Sequence, residues 1–184
     1  MSALPPAVLL DRDGVLNEDR PNYVKSLDEW VWQDGVLDAL ARLHAAGVRV
    51  GVVTNQSCVG QGILASAQLE SIHARMRSDV ADAGGRIDGI FFCPHTDADG
   101  CDCRKPLPGL LHQAAEHFGC SLAGVPFVGD AGRDLVAAMA AGAEPVLVRT
   151  GKGAATEGEQ LPPGTAVFDD LAAFVDALLE ADSA

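Results

Sequence analysis

Short apolar runs alternate along this chain with segments whose apolar residues recur every three or four positions. The runs are Val8-Leu9-Leu10, residues 48–53, residues 87–92, residues 125–128 and Val146-Leu147-Val148. Each is short and nearly unbroken, the pattern of a strand buried on both faces of a parallel sheet. Between them, Val36, Leu37, Leu40 and Leu43 repeat at helical spacing and stop at Gly47. Leu69, Ile72, Met76 and Val80 mark a long helix from Ser66 to about Ala83. Leu110, Leu111, Ala114, Ala115 and Phe118 follow the helix opening at Pro108-Gly109, residues 136–141 complete another helix, and residues 171–179 close the chain. Strands alternating with helices predict an α/β domain with a central parallel sheet, in which ligands sit at the carboxyl ends of the strands.

The polar residues directly after the strands are where this pattern acquires chemistry. The first run ends in Asp11-Arg12-Asp13-Gly14, two acids two residues apart. One carboxylate can attack phosphorus while its neighbour handles a proton; the plain alternative is an Asp-Gly turn. The second run ends in Thr54-Asn55-Gln56-Ser57, a hydroxyl and amides able to donate to phosphoryl oxygens, or a polar loop. The fourth leads into Gly129-Asp130-Ala131-Gly132-Arg133-Asp134, whose first acid suits Mg²⁺ and whose ordinary reading is a helix start favoured by acids. Lys105 can neutralise a transferring phosphoryl group, and Arg104 can grip a second anionic or hydroxylated part. The irregular stretch after Asn17 carries Asp19, Arg20, Asn22 and Tyr23 and can line the site; Trp30 and Trp32 pack on the body, and His73 is a bystander.

After the third run come Cys93-Pro94-His95 and Cys101-Asp102-Cys103. Three thiolates and one imidazole complete a closed tetrahedral zinc site with no position left for water. A disulfide or chance clustering are the other readings of these cysteines. The zinc would staple a loop at 93–103 too polar to order itself. Cys58 and Cys120 stand apart from it.

At 184 residues the chain fits one domain, residues 1–184, and 48% hydrophobic residues is an ordinary globular balance. A formal net charge of -13 argues against nucleic acid as the partner. No apolar run approaches the roughly 20 residues that span a bilayer, and the N-terminus lacks the basic region of a signal peptide. Five cysteines, three within eleven residues, fit metal binding in a reducing cytoplasm better than a disulfide framework.

Asp11/Asp13, Thr54, Lys105 and Asp130 together resemble, in order and type, the motifs of the haloacid dehalogenase (HAD) phosphatase superfamily. The strings Leu10-Asp11-Arg12-Asp13-Gly14, Thr54-Asn55-Gln56-Ser57, Cys93-Pro94-His95, Cys101-Asp102-Cys103-Arg104-Lys105-Pro106 and Val128-Gly129-Asp130 resemble the D-glycero-D-manno-heptose 1,7-bisphosphate 7-phosphatase family. Asn22-Tyr23-Val24 is similar to its substrate-loop motif, normally Gly-Tyr-Val. The resemblance implies a Rossmann-like three-layer sandwich without a cap domain, an aspartyl-phosphate intermediate, catalytic Mg²⁺ on Asp11, Asp130 and the backbone carbonyl of Asp13, and structural Zn²⁺ on Cys93, His95, Cys101 and Cys103. It implies catalysis by Asp11, Asp13, Thr54 and Lys105, and contacts to a small phosphorylated sugar from Asp19, Arg20, Asn22, Tyr23, Asn55, Gln56, Ser57 and Arg104. A cytoplasmic monomer serving lipopolysaccharide core synthesis is expected.

Two departures stand out: Ser57-Cys58-Val59-Gly60-Gln61-Gly62 replaces the common S-G-x-A-R-G, and Ala131 replaces Lys or Ser. The alternative enzymatic reading is a histidinol-phosphate phosphatase, a family that shares the zinc loop and most motifs. A receiver-type phospho-aspartate switch is a non-enzymatic alternative, disfavoured by Asp13, which promotes turnover rather than storage. A zinc-stabilised interaction module leaves Asp11, Thr54 and Asp130 unexplained.

Overall fold

The computed structural model describes residues 4–183. Six parallel strands form one sheet in the order β3-β2-β1-β4-β5-β6. They are β1 (Ala7–Leu10), β2 (Arg49–Asn55), β3 (Gly89–Cys93), β4 (Pro126–Gly129), β5 (Glu144–Val148) and β6 (Ala166–Phe168). The helices are α1 (Val36–Ala45), α2 (Ser57–Gly60), α3 (Ser66–Asp82), α4 (Gly109–Phe118), α5 (Gly132–Ala141), α6 (Gly153–Glu157) and α7 (Leu171–Ser183).

Alternation along β1 sorts the core into two layers, as a pleated strand must. Val8 and Leu10 pack with Leu40 and Leu43 of α1, Ile72 and Met76 of α3, and Phe174 and Val175 of α7. Ala7 and Leu9 pack on the other face with Leu110, Ala114 and Phe118 of α4 and with Ala137 and Ala138 of α5. The result is three layers, helices on both sides of a sheet that is buried on both faces. Helix α4 follows Pro108 and ends at Gly119, whose φ of 60° is the left-handed cap that glycine supplies at low strain.

Strand order reverses at β1, which pairs with β2 on one side and β4 on the other. A crevice opens at such a switch point. The Asp11 N–H donates to Val128 O at 2.9 Å, tying the end of β1 to β4 one residue pair before Asp130.

Between β5 and α7 the chain forms two elements the apolar pattern does not predict, the short helix α6 and a sixth strand, β6, at the sheet edge. Three residues give too little pattern to identify a strand. His73, a bystander to the chemistry, is buried in α3, 1% exposed, with its ring edge-on to Phe92 at 5.7 Å.

Candidate active site

Asp11, Thr54 and Asp130 end or directly follow β1, β2 and β4, and all three are buried. Lys105, from the loop after β3, is buried with them. Its ammonium donates to Val53 O at 2.9 Å and forms ion pairs with Asp11 Oδ1 (2.9 Å) and Asp134 Oδ1 (2.8 Å). Burial acts against the charged ammonium, but Asp11 and Asp134 outweigh it and hold its pKa above the ordinary value. Asn55 clamps the Lys105 backbone from both sides, its amide donating to Lys105 O and its Oδ1 accepting from Lys105 N, each at 3.0 Å. The Lys105–Pro106 peptide is cis.

Asp11 Oδ1 also accepts the Arg12 N–H at 2.7 Å, while Oδ2 has no hydrogen-bond partner among the described residues. Burial, and then the neighbouring Asp134 charge, push the Asp11 pKa up to about 8, with Lys105 opposing and Asp130 adding to the rise. Asp130 is raised to about 6, again by burial first and Asp134 second. Its Oδ2 accepts the Lys152 N–H at 2.9 Å, and its backbone carbonyl accepts from Thr156 Oγ1 at 2.9 Å. Its Oδ1 is buried without a partner.

Carboxylate oxygens of Asp11, Asp130 and Asp134 lie within 4.8 Å of one another. Three acids beside one ammonium, an open oxygen on Asp130 and a free one on Asp11 fit a hard divalent cation, which takes oxygen ligands. The seat is tight. Gly14 (φ 87°) and Gly151 (φ 57°) both pack on Asp130, and a Cβ on either would collide with Asp130 Oδ2.

Asp13 turns its carboxylate away from that seat. Oδ1 accepts from Arg12 Nη2 and Asn17 Nδ2, each at 3.0 Å, and Oδ2 accepts from Gln56 Nε2 at 2.8 Å. Burial alone would raise its pKa; the Arg12 guanidinium and these hydrogen bonds reverse that and hold it below the usual carboxylate value. Arg12 is itself fully buried, with its guanidinium 5.7 Å from the Trp30 ring.

A cavity of about 770 Å³ opens at this sheet edge and includes Asp13, Asn55 and Gly151 in its wall, next to the buried cluster. Of the residues predicted to meet substrate, Asp19, Arg20, Tyr23, Asn55, Ser57 and Arg104 line it. Asn22 and Gln56 do not. Asn22 is exposed on the outer side of its loop, where its carbonyl accepts from Lys25 Nζ at 2.7 Å. Gln56 is 1% exposed, behind Asp13 and Thr54. Tyr23 adopts a left-handed φ of 62°, rare outside glycine, and its hydroxyl accepts from Gln61 Nε2 at 3.1 Å.

Sequence reasoning passed over the roles of five residues: Asp134, one turn into α5, pairs with Lys105, Arg12 and Asn17 fix Asp13, and Arg133 and Lys152 bring cations to the cavity wall.

Beside the cavity, Cys93, His95, Cys101 and Cys103 gather in the loop that carries Arg104. Sγ of Cys93 lies 3.5 Å from His95 Nδ1, 3.7 Å from Cys101 Sγ and 3.1 Å from Cys103 Sγ. His95 Nδ1 is 3.4 Å from Cys103 Sγ. None of the chain's cysteines forms a disulfide. Neutral thiols and an imidazole have weak reasons to converge this closely, and the set fits a tetrahedral soft cation. Arg104 is tied to the same loop through Asp97 Oδ1 at 2.5 Å and His95 O at 3.4 Å.

Residues 102–174 match the model of the Hydrolase_like family, described as HAD-hydrolase-like. The chain is 53% identical over 173 residues to the D-glycero-β-D-manno-heptose-1,7-bisphosphate 7-phosphatase of Pseudomonas aeruginosa, covering 94% of this chain and 97% of that protein. It is 40% identical over 167 residues to the Escherichia coli K12 protein of that name, covering 86% and 87%. Among solved structures, it superposes with a TM-score of 0.94 and 48% identity on D,D-heptose 1,7-bisphosphate phosphatase from B. bronchiseptica complexed with magnesium and phosphate, covering 96% of this chain and 99% of that one.

Proposed function

This chain belongs to the D-glycero-β-D-manno-heptose-1,7-bisphosphate 7-phosphatase family of HAD-like hydrolases, and from that membership we propose how its residues carry the reaction. It is a phosphoric monoester hydrolase that releases the C7 phosphate of the heptose bisphosphate. Residues 1–184 act as one phosphatase domain.

Asp11 is the nucleophile. Lys105 and the Arg12 N–H hold Oδ1, so the free Oδ2 attacks phosphorus. As the bond from phosphorus to the sugar oxygen breaks, Asp13 gives that oxygen its proton, leaving an alcohol and an aspartyl phosphate on Asp11. Asp13, now ionised, takes a proton from water. The water oxygen attacks phosphorus, the bond to Asp11 breaks, and inorganic phosphate leaves with Asp13 protonated again. The donors around Asp13 favour its charged form. A bound phosphate dianion, by like charge, moves it back toward the acid it must be in the first step. Thr54 Oγ1 donates to a phosphoryl oxygen, and Lys105 supplies positive charge to Asp11.

Asp11, Asp130 and Asp134 border the seat that would hold Mg²⁺, with Asp130 Oδ1 as its open ligand. When bound there, Mg²⁺ neutralises phosphoryl charge as a Lewis acid. Cys93, His95, Cys101 and Cys103 would hold Zn²⁺ as a structural ion that orders the loop bearing Arg104 and Lys105. Asp19, Arg20, Tyr23, Ser57, Arg104 and Lys152 form the surroundings of the sugar and its second phosphate. The net charge of -13 argues against a nucleic-acid partner, and the unpaired cysteines fit a reducing cytoplasm.

The observation that carries this reading is the pairing of buried Asp11 with Lys105 beside the open Asp130 oxygen. Asp11→Asn should abolish phosphate release while the protein still folds, as a cooperative melting transition would show; wild-type turnover in that variant would refute the assignment.

A further inference from the structure

Gln56 lies outside the cavity wall, yet it touches both groups that work on the phosphoryl centre. Its Nε2 donates to Asp13 Oδ2 at 2.8 Å and to Thr54 Oγ1 at 2.9 Å. Its Oε1 faces Cys58 Sγ, which donates to it at 3.7 Å. Every polar position on this buried amide is therefore used, and in one orientation only. Turning the amide over would set Oε1 against an anionic carboxylate and a hydroxyl oxygen, and would leave the thiol facing an NH₂ group.

Each contact has a directional consequence. A hydroxyl has one hydrogen and two lone pairs. With a Thr54 lone pair occupied by the Gln56 N–H, the Thr54 hydrogen is turned away from Gln56 and remains free to donate. On Asp13, Oδ1 is saturated by Arg12 and Asn17, one of them a cation, whereas Oδ2 accepts only the neutral amide. The oxygen with the open lone pair and the weaker electrostatic demand is Oδ2.

We propose that Gln56 is a positioning residue, oriented by Cys58, which fixes Asp13 so that Oδ2 carries the proton to the leaving oxygen and simultaneously aims the Thr54 hydroxyl at the phosphoryl group. This rests on Asp13 being the general acid. It gives Cys58, a departure from the glycine common at this position in the family, a function: its thiol holds the amide in register. It also explains why a glutamine predicted to meet substrate is buried instead.

The test separates leaving groups. An alkyl phosphate such as the heptose bisphosphate needs its departing oxygen protonated; p-nitrophenyl phosphate releases a stable phenolate and does not. Because kcat/KM reports steps up to formation of the aspartyl phosphate, the ratio of alkyl to aryl kcat/KM isolates proton donation. Gln56→Met keeps the volume and removes the donors, and should lower that ratio by about tenfold or more, within the range general acids contribute. Asp13→Asn should lower it further. If Asp13→Asn lowers the ratio and Gln56→Met leaves it unchanged, the role of Gln56 is overturned and the general-acid reading stands. If Asp13→Asn also leaves it unchanged, the general-acid reading itself fails, and the proposal with it. Should Gln56→Met not fold, the pair Cys58→Ala and Cys58→Ser decides. The ratio should fall in the alanine variant and return in the serine variant, whose hydroxyl can still donate to Oε1. Equal ratios in both would contradict the proposal.

Discussion

The Lys105 ammonium lies 2.8 Å from Asp134 Oδ1, and neither side chain is exposed to solvent. Asp134 also accepts the Ala131 N–H through Oδ2 at 3.1 Å, so it joins the first turn of α5 to the lysine after β3. Removing one partner of a buried pair strands the other charge, which typically costs about 3–5 kcal/mol. Asp134→Ala should therefore lower stability by an amount of that order, measured by chemical denaturation. It should also weaken Mg²⁺ binding, because Asp134 borders the carboxylate cluster. Unchanged stability and Mg²⁺ dependence would show that Lys105 finds its countercharge in Asp11 alone.

Mg²⁺ binding should respond to groups that never touch the ion. Gly14→Ala and Gly151→Ala each bring a methyl group into Asp130 Oδ2, at positive φ where alanine is already strained. Displacing a ligand's support costs about 10- to 100-fold in metal affinity in comparable sites. Titration of activity with Mg²⁺ should show a shift of that size in either variant. An unchanged titration would place the cation away from Asp130.

His73 sets part of the acid limit of stability. Burial first, then the Arg12 and Arg77 charges, lower its pKa from 6.5 to about 3, against a weaker opposing effect of Asp13. Below 6.5 the unfolded chain binds a proton at this position that the folded chain refuses. Stability linked to His73 is thus fully present above pH 6.5 and falls as pH drops toward about 3. In His73→Leu that contribution vanishes, and the slope of unfolding free energy against pH between 6.5 and 4 should be shallower than in the wild type. Parallel slopes would mean that His73 protonates as readily in the fold as outside it.

Protein purified without chelators should contain one zinc per chain by elemental analysis. Cys103→Ser should lose it and melt at lower temperature, because a closed structural site contributes directly to folding. Retention of zinc by that variant, or its absence from the wild type, would contradict the four-ligand site.

Much of this was legible because each strand ends on the chemistry it presents. Asp11, Thr54 and Asp130 follow short apolar runs, and a parallel sheet necessarily brings their carboxyl ends to one edge. Lys105 could be placed because it lies two residues after the last cysteine pair. What escaped depends on contacts between distant segments. Nothing local in Arg12 shows that its guanidinium is buried near Trp30, and nothing in Gln56 shows that it points back toward Asp13, 43 residues earlier. Asp134 has the position of an ordinary helix-start acid, and only the fold reveals its pairing with Lys105. The edge strand β6 was lost for a simpler reason, being too short for any periodicity to register.

The central claim is the substrate and the bond that is broken. Arg104 and Lys152 in the cavity wall suit a second phosphate and would repel the amine of histidinol phosphate, although Asp19 and Glu18 in the same wall offset part of that repulsion. The decisive measurement is kcat/KM for D-glycero-D-manno-heptose 1,7-bisphosphate and for histidinol phosphate, with the sugar product identified by ³¹P NMR. Preference for the heptose ester, with the C1 phosphate retained and the C7 phosphate released, is the result predicted. Preference for histidinol phosphate, or release of the C1 phosphate first, would contradict it.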